Sequence, residues 1–591
     1  MKYKFKLITI GLLGIVVFTA MNCTKVLKEE NRANITPDLF ATPLGLQAGL
    51  SAAYSNLRFL YGQEGHLYNT EAGVDEIRRG DGASTQMFFY NIQSGDGNTT
   101  GLWNTCYPNI NTLNGVIAKA PDADISDATR TLLVAEAKYL RAFYYFLLVQ
   151  TFGDVSLHLD FNTQPSAADE RSPIADVYNA IVTDLNDAVA GLPDQPAQSK
   201  GHAAKAAAKM LLAKVYLTRG WSTAAQGTDF QNAYTTATDI ITNKATYGLD
   251  LWADYGDIHK EGNEYGKEVL WVIDRNTDSK AAETNYTGGA GGSPNGGNKE
   301  NRSNFYHRPN YPGVSLNVNA GITGGTAANF NMMNRDIYNG RPWLRVRPSN
   351  YALNVVFGER ANDSRYDHTF QTTWIYNRGA TVAADINAKT GRGVLVDNVD
   401  TAIWMPGVDV PESRRLAFKG VILTPSQYNG TIYPSMAKYD DHTRLVVNDP
   451  SDRPYIMMKF SELYLIAAEA AFKLGNTTDA ANMINVLRQR AAYRPTNSPA
   501  ENAAAVLAQT ITAGDVTIDF IVDEYSRELY GEWRRWYDLV RTHTLTKARL
   551  DLYNDDGAGT LFKPEFTLRP IPQSQIDAVT EGPAYPQNPG Y

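Results

Sequence analysis

Between residues 276 and 454 the chain gathers side chains suited to holding a sugar: Tyr286, Tyr306, His307, Tyr311, Tyr338, Trp343, Tyr351, Tyr366, Trp374 and Tyr376, with Arg308, Asn310 and Asn334 among them. A sugar ring offers C–H groups on one face and hydroxyls round its edge, so a site for it wants flat rings beside a few hydrogen-bonding groups. The competing reading is packing: aromatic residues under long loops are mostly core, and only about two or three of these rings are expected to touch a ligand.

Patterns that would carry catalysis do not form. The eight histidines are scattered, and none falls in a His-Glu-x-x-His arrangement, which argues against zinc. No Gly-x-Ser-x-Gly elbow offers a serine nucleophile. Asp122, Asp124 and Asp127 lack the glycine that a calcium loop needs and read as an acidic helix entry. The glycine-rich run 288–298 lacks the Lys-Ser/Thr ending of a phosphate-binding loop. No catalytic residue, cofactor or metal is therefore expected. Paired carboxylates for glycoside hydrolysis have no fixed sequence spacing, so a surface glycoside hydrolase stays open beside a pure binder. A net charge of -8 argues against nucleic acid as a partner.

These groups need a frame, and the rest of the chain reads as helices. Leu46, Leu50, Ala53, Leu57 and Leu60 recur at spacings of four and three, as do Leu102, Cys106, Leu113 and Ile117, each an apolar stripe on one helix face. Periodicity predicts further helices over 132–150, 174–190, 203–219, 230–243, 460–474 and 478–492. Gly153 supplies a stop after the first of these. Gly475 and Asn476 end one helix of the last pair and Thr478 is placed to cap the next. Short turns make such neighbours antiparallel. Helix pairs of this kind build tetratricopeptide solenoids, although no clean period of about 34 residues is visible. The expected fold is mainly α: a tetratricopeptide-like helix-pair superhelix with a long, irregular, loop-rich insertion that carries the ligand surface.

The two ends of the chain differ. Lys2, Lys4 and Lys6 precede an apolar stretch from Leu7 to Ala20, the order of a secretory signal and short of the roughly 20 residues needed to span a bilayer. Cys23 follows at once and opens a polar stretch. Either a lipoprotein peptidase cuts before Cys23, which then carries lipid, or an ordinary signal is cut nearby and Cys23 is incidental. With two cysteines in the chain, a lipidated Cys23 leaves Cys106 without a partner, so a packed core and not a disulfide must hold the fold. The expected division is a signal peptide over 1–22, a tether over 23–40 and one body over 41–591. Within the body lie a helical part (41–275), the loop-rich region (276–454) and a second helical part (455–591).

The run Glu136 to Phe146, continuing through Phe152-Gly153-Asp154-Val155, resembles the signature helix of the SusD/RagB family, nutrient-binding outer-membrane lipoproteins of Bacteroidetes. Trp103, Tyr107, Ile110 and Asn114 are similar to its preceding helix. Val346-Arg347-Pro348-Ser349 and Asp363-Ser364-Arg365-Tyr366 resemble its middle segment. Arg453-Pro454 leading into Phe460 to Ala470, the stretch Glu524 to Arg541, and Leu568-Arg569-Pro570-Ile571-Pro572 resemble its C-terminal blocks. These blocks lie in family order over nearly the whole mature chain.

The resemblance implies a lipoprotein anchored through Cys23 in the outer membrane and facing outward, with Lys28-Glu29-Glu30 similar to a surface-export signal. It implies capture of a glycan fragment and delivery to a SusC-like TonB-dependent barrel, without covalent chemistry. A ligand-free assembly subunit of a transporter is the remaining alternative. By position, the ligand residues are expected in the stretch Asp75, Glu76, Ile77, Arg78 and Arg79 and in the region holding Tyr306, His307, Tyr311, Tyr338 and Trp343, with Trp103 as an outlying candidate. Arg141, Glu469, Arg527, Glu528 and Arg534 lie on helices with apolar faces and are expected to form ion pairs or caps.

Overall fold

Apolar stripes at helical spacing become helices that pack on their sequence neighbours. The structure, a computed structural model, describes residues 37–196, 199–275, 300–318 and 328–591. The signal segment, Cys23, Lys28-Glu29-Glu30, Tyr286 and the run 288–298 lie outside the described residues.

The first helix, α1 (Pro43–Asn56), starts where the Thr42 hydroxyl accepts from the Gly45 N–H, and it buries Leu46, Leu50 and Ala53. It is followed by α2 (Glu64–Glu71) and a short strand, β1 (Ile77–Arg79). Asp96 caps α3 (Gly97–Lys119) and Ser126 caps α4 (Asp127–Phe152). Gly153 ends α4 at φ +73, backbone that a residue without Cβ adopts freely. Then come α5 (Ile174–Gly191), α6 (Lys205–Trp221) and α7 (Asp229–Thr242). From α3 to α7 each helix packs on the next, and α1 packs on α3.

Helix α4 is buried far beyond one stripe, because α1, α3 and α5 surround it. Arg141 in its middle donates two bonds of 2.8 Å to Asp184 on α5 and one of 2.7 Å to Asn114 Oδ1 on α3. One guanidinium so joins three helices, and Cys106 packs in the same core as a small apolar side chain.

The chain enters and leaves its insertion through one ribbon. Strand β2 (Val269–Ile273) pairs antiparallel with β9 (Tyr455–Lys459), some 180 residues later. Between them lie α8 (Ser303–Tyr306), the pair β3 (Ser315–Val318) and β4 (Ala328–Asn331), β5 (Val346–Pro348), α9 (Arg365–Thr369), β6 (Thr373–Ile375), α10 (Ala380–Thr390), β7 (Thr401–Trp404) and β8 (Val421–Ile422). The insertion is more built than its irregular sequence suggests. Tyr311, Trp374, Tyr376, Ile386, Ile403 and Met405 form a small core of their own under β6, β7 and β8. Tyr306, Tyr351, Phe357, Tyr366 and Phe370 instead join the main core.

After β9 the helical frame resumes as though uninterrupted. Helix α11 (Phe460–Lys473) packs on α7 and on α12 (Thr477–Ala491). Gly475 turns the chain at φ +80, and the Asn476 side chain accepts from the Asp479 N–H at 3.1 Å. The cap is therefore Asn476 and not Thr478, which already lies inside the helix. Helices α13 (Pro499–Gln509), α14 (Ile518–Leu529), α15 (Arg535–Arg541) and α16 (Lys547–Tyr553) close the body. This is a mainly α, tetratricopeptide-like scaffold. Among the described residues no helix is long and apolar enough to cross a membrane.

The charged signature residues pair inside this frame. Glu524 lies against Arg365 (2.7 Å), Arg488 (3.1 Å) and Arg527 (2.8 Å); Glu528 against Arg490 and Arg365; Glu469 against Arg541 (2.8 Å); and Arg534 against Glu462 and Asp538. Arg365 comes from the insertion, so the network fastens it to α14.

Candidate functional site

The two segments expected to hold ligand meet in space. Strand β1 pairs antiparallel with β5, with Arg79 opposite Val346 and Ile77 opposite Pro348, which sets residues 75–83 beside the turn that follows Trp343. Past the strand the chains cross closely: the Gly80 N–H donates to Arg345 O (3.1 Å) and the Gly82 N–H to Leu344 O (2.9 Å). A Cβ on Gly80 would fall 2.1 Å from Leu344 O, and one on Gly82 2.2 Å from Trp343 O, so this approach requires glycine. Leu344 itself is held at φ +58, uncommon for a residue with a branched side chain. On the other side the Trp343 and Arg345 N–H groups donate to Phe305 O and Tyr306 O, on and beside α8. The turn is clamped from two directions.

The clamp presents a half-buried Trp343. Phe305 and Tyr306 back it, with ring centroids 5.4 and 5.6 Å away. Three guanidiniums lie over the Trp343 ring, Arg345 at 5.1 Å and Arg302 and Arg341 at 5.5 Å from its centroid. Arg345 Nε is bound to Glu64 (2.8 Å) and Arg302 to Glu300 (2.6 Å). Arg341 and the exposed Arg335 make no ion pair or hydrogen bond among the described residues. The Arg341 pKa is lowered from its usual value, by partial burial first and then by the like charges of Arg335, Arg302 and Arg345. Nearby Asp336 is occupied, accepting from the Asn339 N–H and the Asn339 and Asn377 side-chain amides.

The other expected residues are placed as follows. Asp75 is fully buried, accepting from Arg535 (2.8 and 2.7 Å) and Arg549 (2.6 Å). Burial would raise its pKa, but these two charges outweigh that and hold it below the usual carboxylate range. Arg78 is saturated by Asp555 and Asp556. Arg79 remains half-buried, donating to Ala83 O at 3.0 Å.

Trp103, Tyr306, His307 and Tyr311 are buried; the last three face no ligand from solvent, and Trp103 meets solvent only at the floor of a second concavity. Trp103 meets Phe152 edge-on at 5.2 Å, the Tyr306 hydroxyl donates to Gly62 O (3.1 Å), and the Tyr311 hydroxyl donates to Gly340 O (2.8 Å). Burial, aided by the charges of Arg308 and Lys438, brings the His307 pKa down to about 3, so it is neutral. Each of these four is needed by the packing that carries the turn or the core. Tyr338 is 62% exposed and stacks on His442, centroids 4.1 Å apart.

What the aromatic reading passed over is the arginines. Arg335, Arg341, Arg345 and Arg347 crowd round Trp343 in the sequence itself, and that density was the available signal. A second concave surface, of about 370 Å³, lies over α3 and is lined by Asn104, Tyr107, Asn111, His158, Asn162 and Asp169. Its floor is the buried Trp103. Among the described residues no group of His, Cys, Asp or Glu is arranged to hold a metal ion.

Comparison with known proteins gives the same pattern over the whole chain. A family model described as "SusD family" matches residues 267–591, and one described as "Starch-binding associating with outer membrane" matches 51–217. SusD-like protein P2 of Formosa agariphila is 25% identical over 614 residues, covering 100% of both chains. A solved laminarin-binding SusD-like protein superposes with a TM-score of 0.63 at 22% identity, over 93% of this chain and 100% of that one. Surface glycan-binding protein A from Bacteroides thetaiotaomicron, solved with laminarihexaose, gives 0.60 at 20% identity, over 93% and 99%.

Proposed function

The chain belongs to the SusD family, and on that premise we propose that it is a cell-surface lipoprotein that captures an oligosaccharide at the Trp343 turn and passes it to a SusC-like TonB-dependent barrel. The observation that carries this reading is the full-length match to SusD-like relatives, with outer-membrane association in the description of the N-terminal match. Lipid on Cys23 anchors the protein in the outer membrane with its body facing out. The lipid of such a cysteine carries at least two acyl chains, enough for stable attachment.

The protein binds and does not cleave. The buried carboxylates of α14 are locked in ion pairs, and Glu64 and Glu300 beside Trp343 are each engaged by an arginine. A hydrolase acid needs a carboxyl kept protonated near its substrate. Delivery needs affinity low enough to release, which a shallow polar face supplies better than an enclosed pocket.

The test is calorimetry of the purified chain against an oligosaccharide panel, with reducing ends assayed in parallel and the native protein extracted with its membrane partners. Heat of binding with no new reducing ends and a copurifying barrel is the expected result. New reducing ends would overturn the binder reading, and copurification without heat from any glycan would favour an assembly subunit.

A further inference from the structure

Resting on the reading above, we propose that the Trp343 turn takes an acidic saccharide, gripping a carboxylate or sulfate ester of the glycan with Arg341 and Arg335, and is not a stacking shelf for a neutral sugar. The argument starts from what the turn offers to solvent. Three guanidiniums already lie over the Trp343 ring, so the ring is not a bare platform for a sugar face. It serves instead as the mount on which a set of N–H forks is held.

Among the described residues four arginines, Arg302, Arg335, Arg341 and Arg345, share this face with three carboxylates: Glu64 and Glu300, each bound to one arginine, and Asp336, which is bound to none of them. In a chain whose net charge is -8, such a local cationic excess runs against the composition. Like charges drawn together cost free energy unless something anionic answers them. Neither Arg341 nor Arg335 has such an answer within the described chain. Asp336, the other acid near by, has its oxygens taken by the Asn339 and Asn377 amides, which leave its charge in place but engage no arginine, and Asp81 lies 3.8 Å from Arg79.

The chemistry of the donors narrows the ligand. A guanidinium presents paired N–H groups in a planar fork that matches the two oxygens of a carboxylate or sulfate, and it is charged at every physiological pH. Neutral hydroxyls gain little from four such charges, whereas an acidic polymer passing over the turn meets several at once. The Gly80 and Gly82 crossing fixes the backbone from Trp343 to Arg345, and with it the ring on which Arg341 packs.

The experiment titrates the full chain, purified in detergent, with three hexasaccharides: an oligogalacturonate, a sulfated galactan and laminarihexaose. At least one acidic probe is expected to bind at least about tenfold more tightly than laminarihexaose, the scale of one charge-assisted hydrogen bond. Its affinity should fall as salt rises. Which acidic probe binds distinguishes a uronate from a sulfate ester. Arg341→Gln and Arg335→Gln should each weaken that binding by about tenfold. Their melting curves should stay unchanged, and Arg341→Lys should recover part of the loss.

Equal or tighter binding of laminarihexaose would overturn the inference while leaving the glycan-binding function intact, and so would acidic binding that neither glutamine variant disturbs. Absence of binding by every probe here and in the wider panel would overturn both.

Discussion

The same residue type does opposite work in two regions of this molecule. Behind α14, Arg365, Arg488, Arg490 and Arg527 interleave with Glu268, Glu359, Asp363, Glu524 and Glu528, every arginine touching at least one carboxylate and most of the groups withdrawn from water. At the Trp343 turn, among the described residues, four arginines meet only two paired carboxylates, with Asp336 near by but bound to amides, and remain partly exposed. Balanced and buried, charge fastens the insertion to the helical frame. Unbalanced and wet, it is left over for something else to meet. The count of opposing charges, and not the presence of arginine, separates scaffold from candidate site.

The largest effect should come from breaking the balanced region. Glu524→Gln leaves Arg365, Arg488 and Arg527 facing a neutral amide at the centre of the network. Losing one side of a buried ion-pair cluster costs about 3–5 kcal/mol. Urea denaturation followed by circular dichroism should show that loss or outright failure to fold. A wild-type midpoint would mean that the network is ornamental.

Acid attacks the same network without mutation. Burial by itself would raise the Glu528 pKa, but Arg490, Lys459 and Arg365 bring it down to about 2 from an ordinary value of 4.5. Glu524 and Asp538 are lowered as well, for the same reason. A carboxylate depressed on folding contributes stability above its unfolded pKa and loses it as pH falls through the folded one. Urea midpoints should therefore hold down to about pH 4.5 and fall steadily from there to pH 2. A flat profile across that window would contradict the pairing.

Much of this frame was legible before any coordinates, because helical periodicity and glycine stops are local. The stripes on α1, α3 and α4 and the stop at Gly153 follow from spacing alone. The cap at Asn476 was misplaced because φ at Gly475, not residue preference, decides where the next helix begins.

The site was half legible. Asp75 to Arg79 and Trp343 do come together, but only β-pairing across some 270 residues shows it, and no periodicity announces that. Composition could not say that Tyr306 and Tyr311 face inward while Tyr338 faces out. Each has the same chemistry, and the fold alone assigns its side. The density of arginine round Trp343 was open to view, but which arginines are answered by acid was not, since Glu64 and Glu300 arrive from distant segments.

An intermediate effect is expected where the two regions share a backbone constraint. Gly82→Ala places a methyl group 2.2 Å from Trp343 O and 2.7 Å from an Arg345 nitrogen, so the turn must shift. Overpacking of this kind costs about 1–3 kcal/mol, well short of the Glu524 loss. Tryptophan fluorescence and glycan affinity should change together in this variant. An unchanged affinity would mean that the position of the Trp343 turn does not matter to binding.

The smallest stability change should come from the residue most exposed to its own kind. Among the described residues Arg341 has no acidic partner and sits with Arg302, Arg335 and Arg345, so Arg341→Gln removes repulsion as well as packing on Trp343. The cation–π contact with a ring already carrying two other guanidiniums is worth about 0.5–1 kcal/mol at most. Relief of like-charge contacts offsets part of it. The net shift in unfolding free energy should lie within about 0.5 kcal/mol of zero, as for an ordinary surface substitution. A loss approaching that of Glu524→Gln would place Arg341 in the scaffold and erase the distinction between the two regions. A protein that tolerates the change in stability, yet loses affinity for an acidic glycan, has kept an unpaired charge at its surface for the ligand's sake.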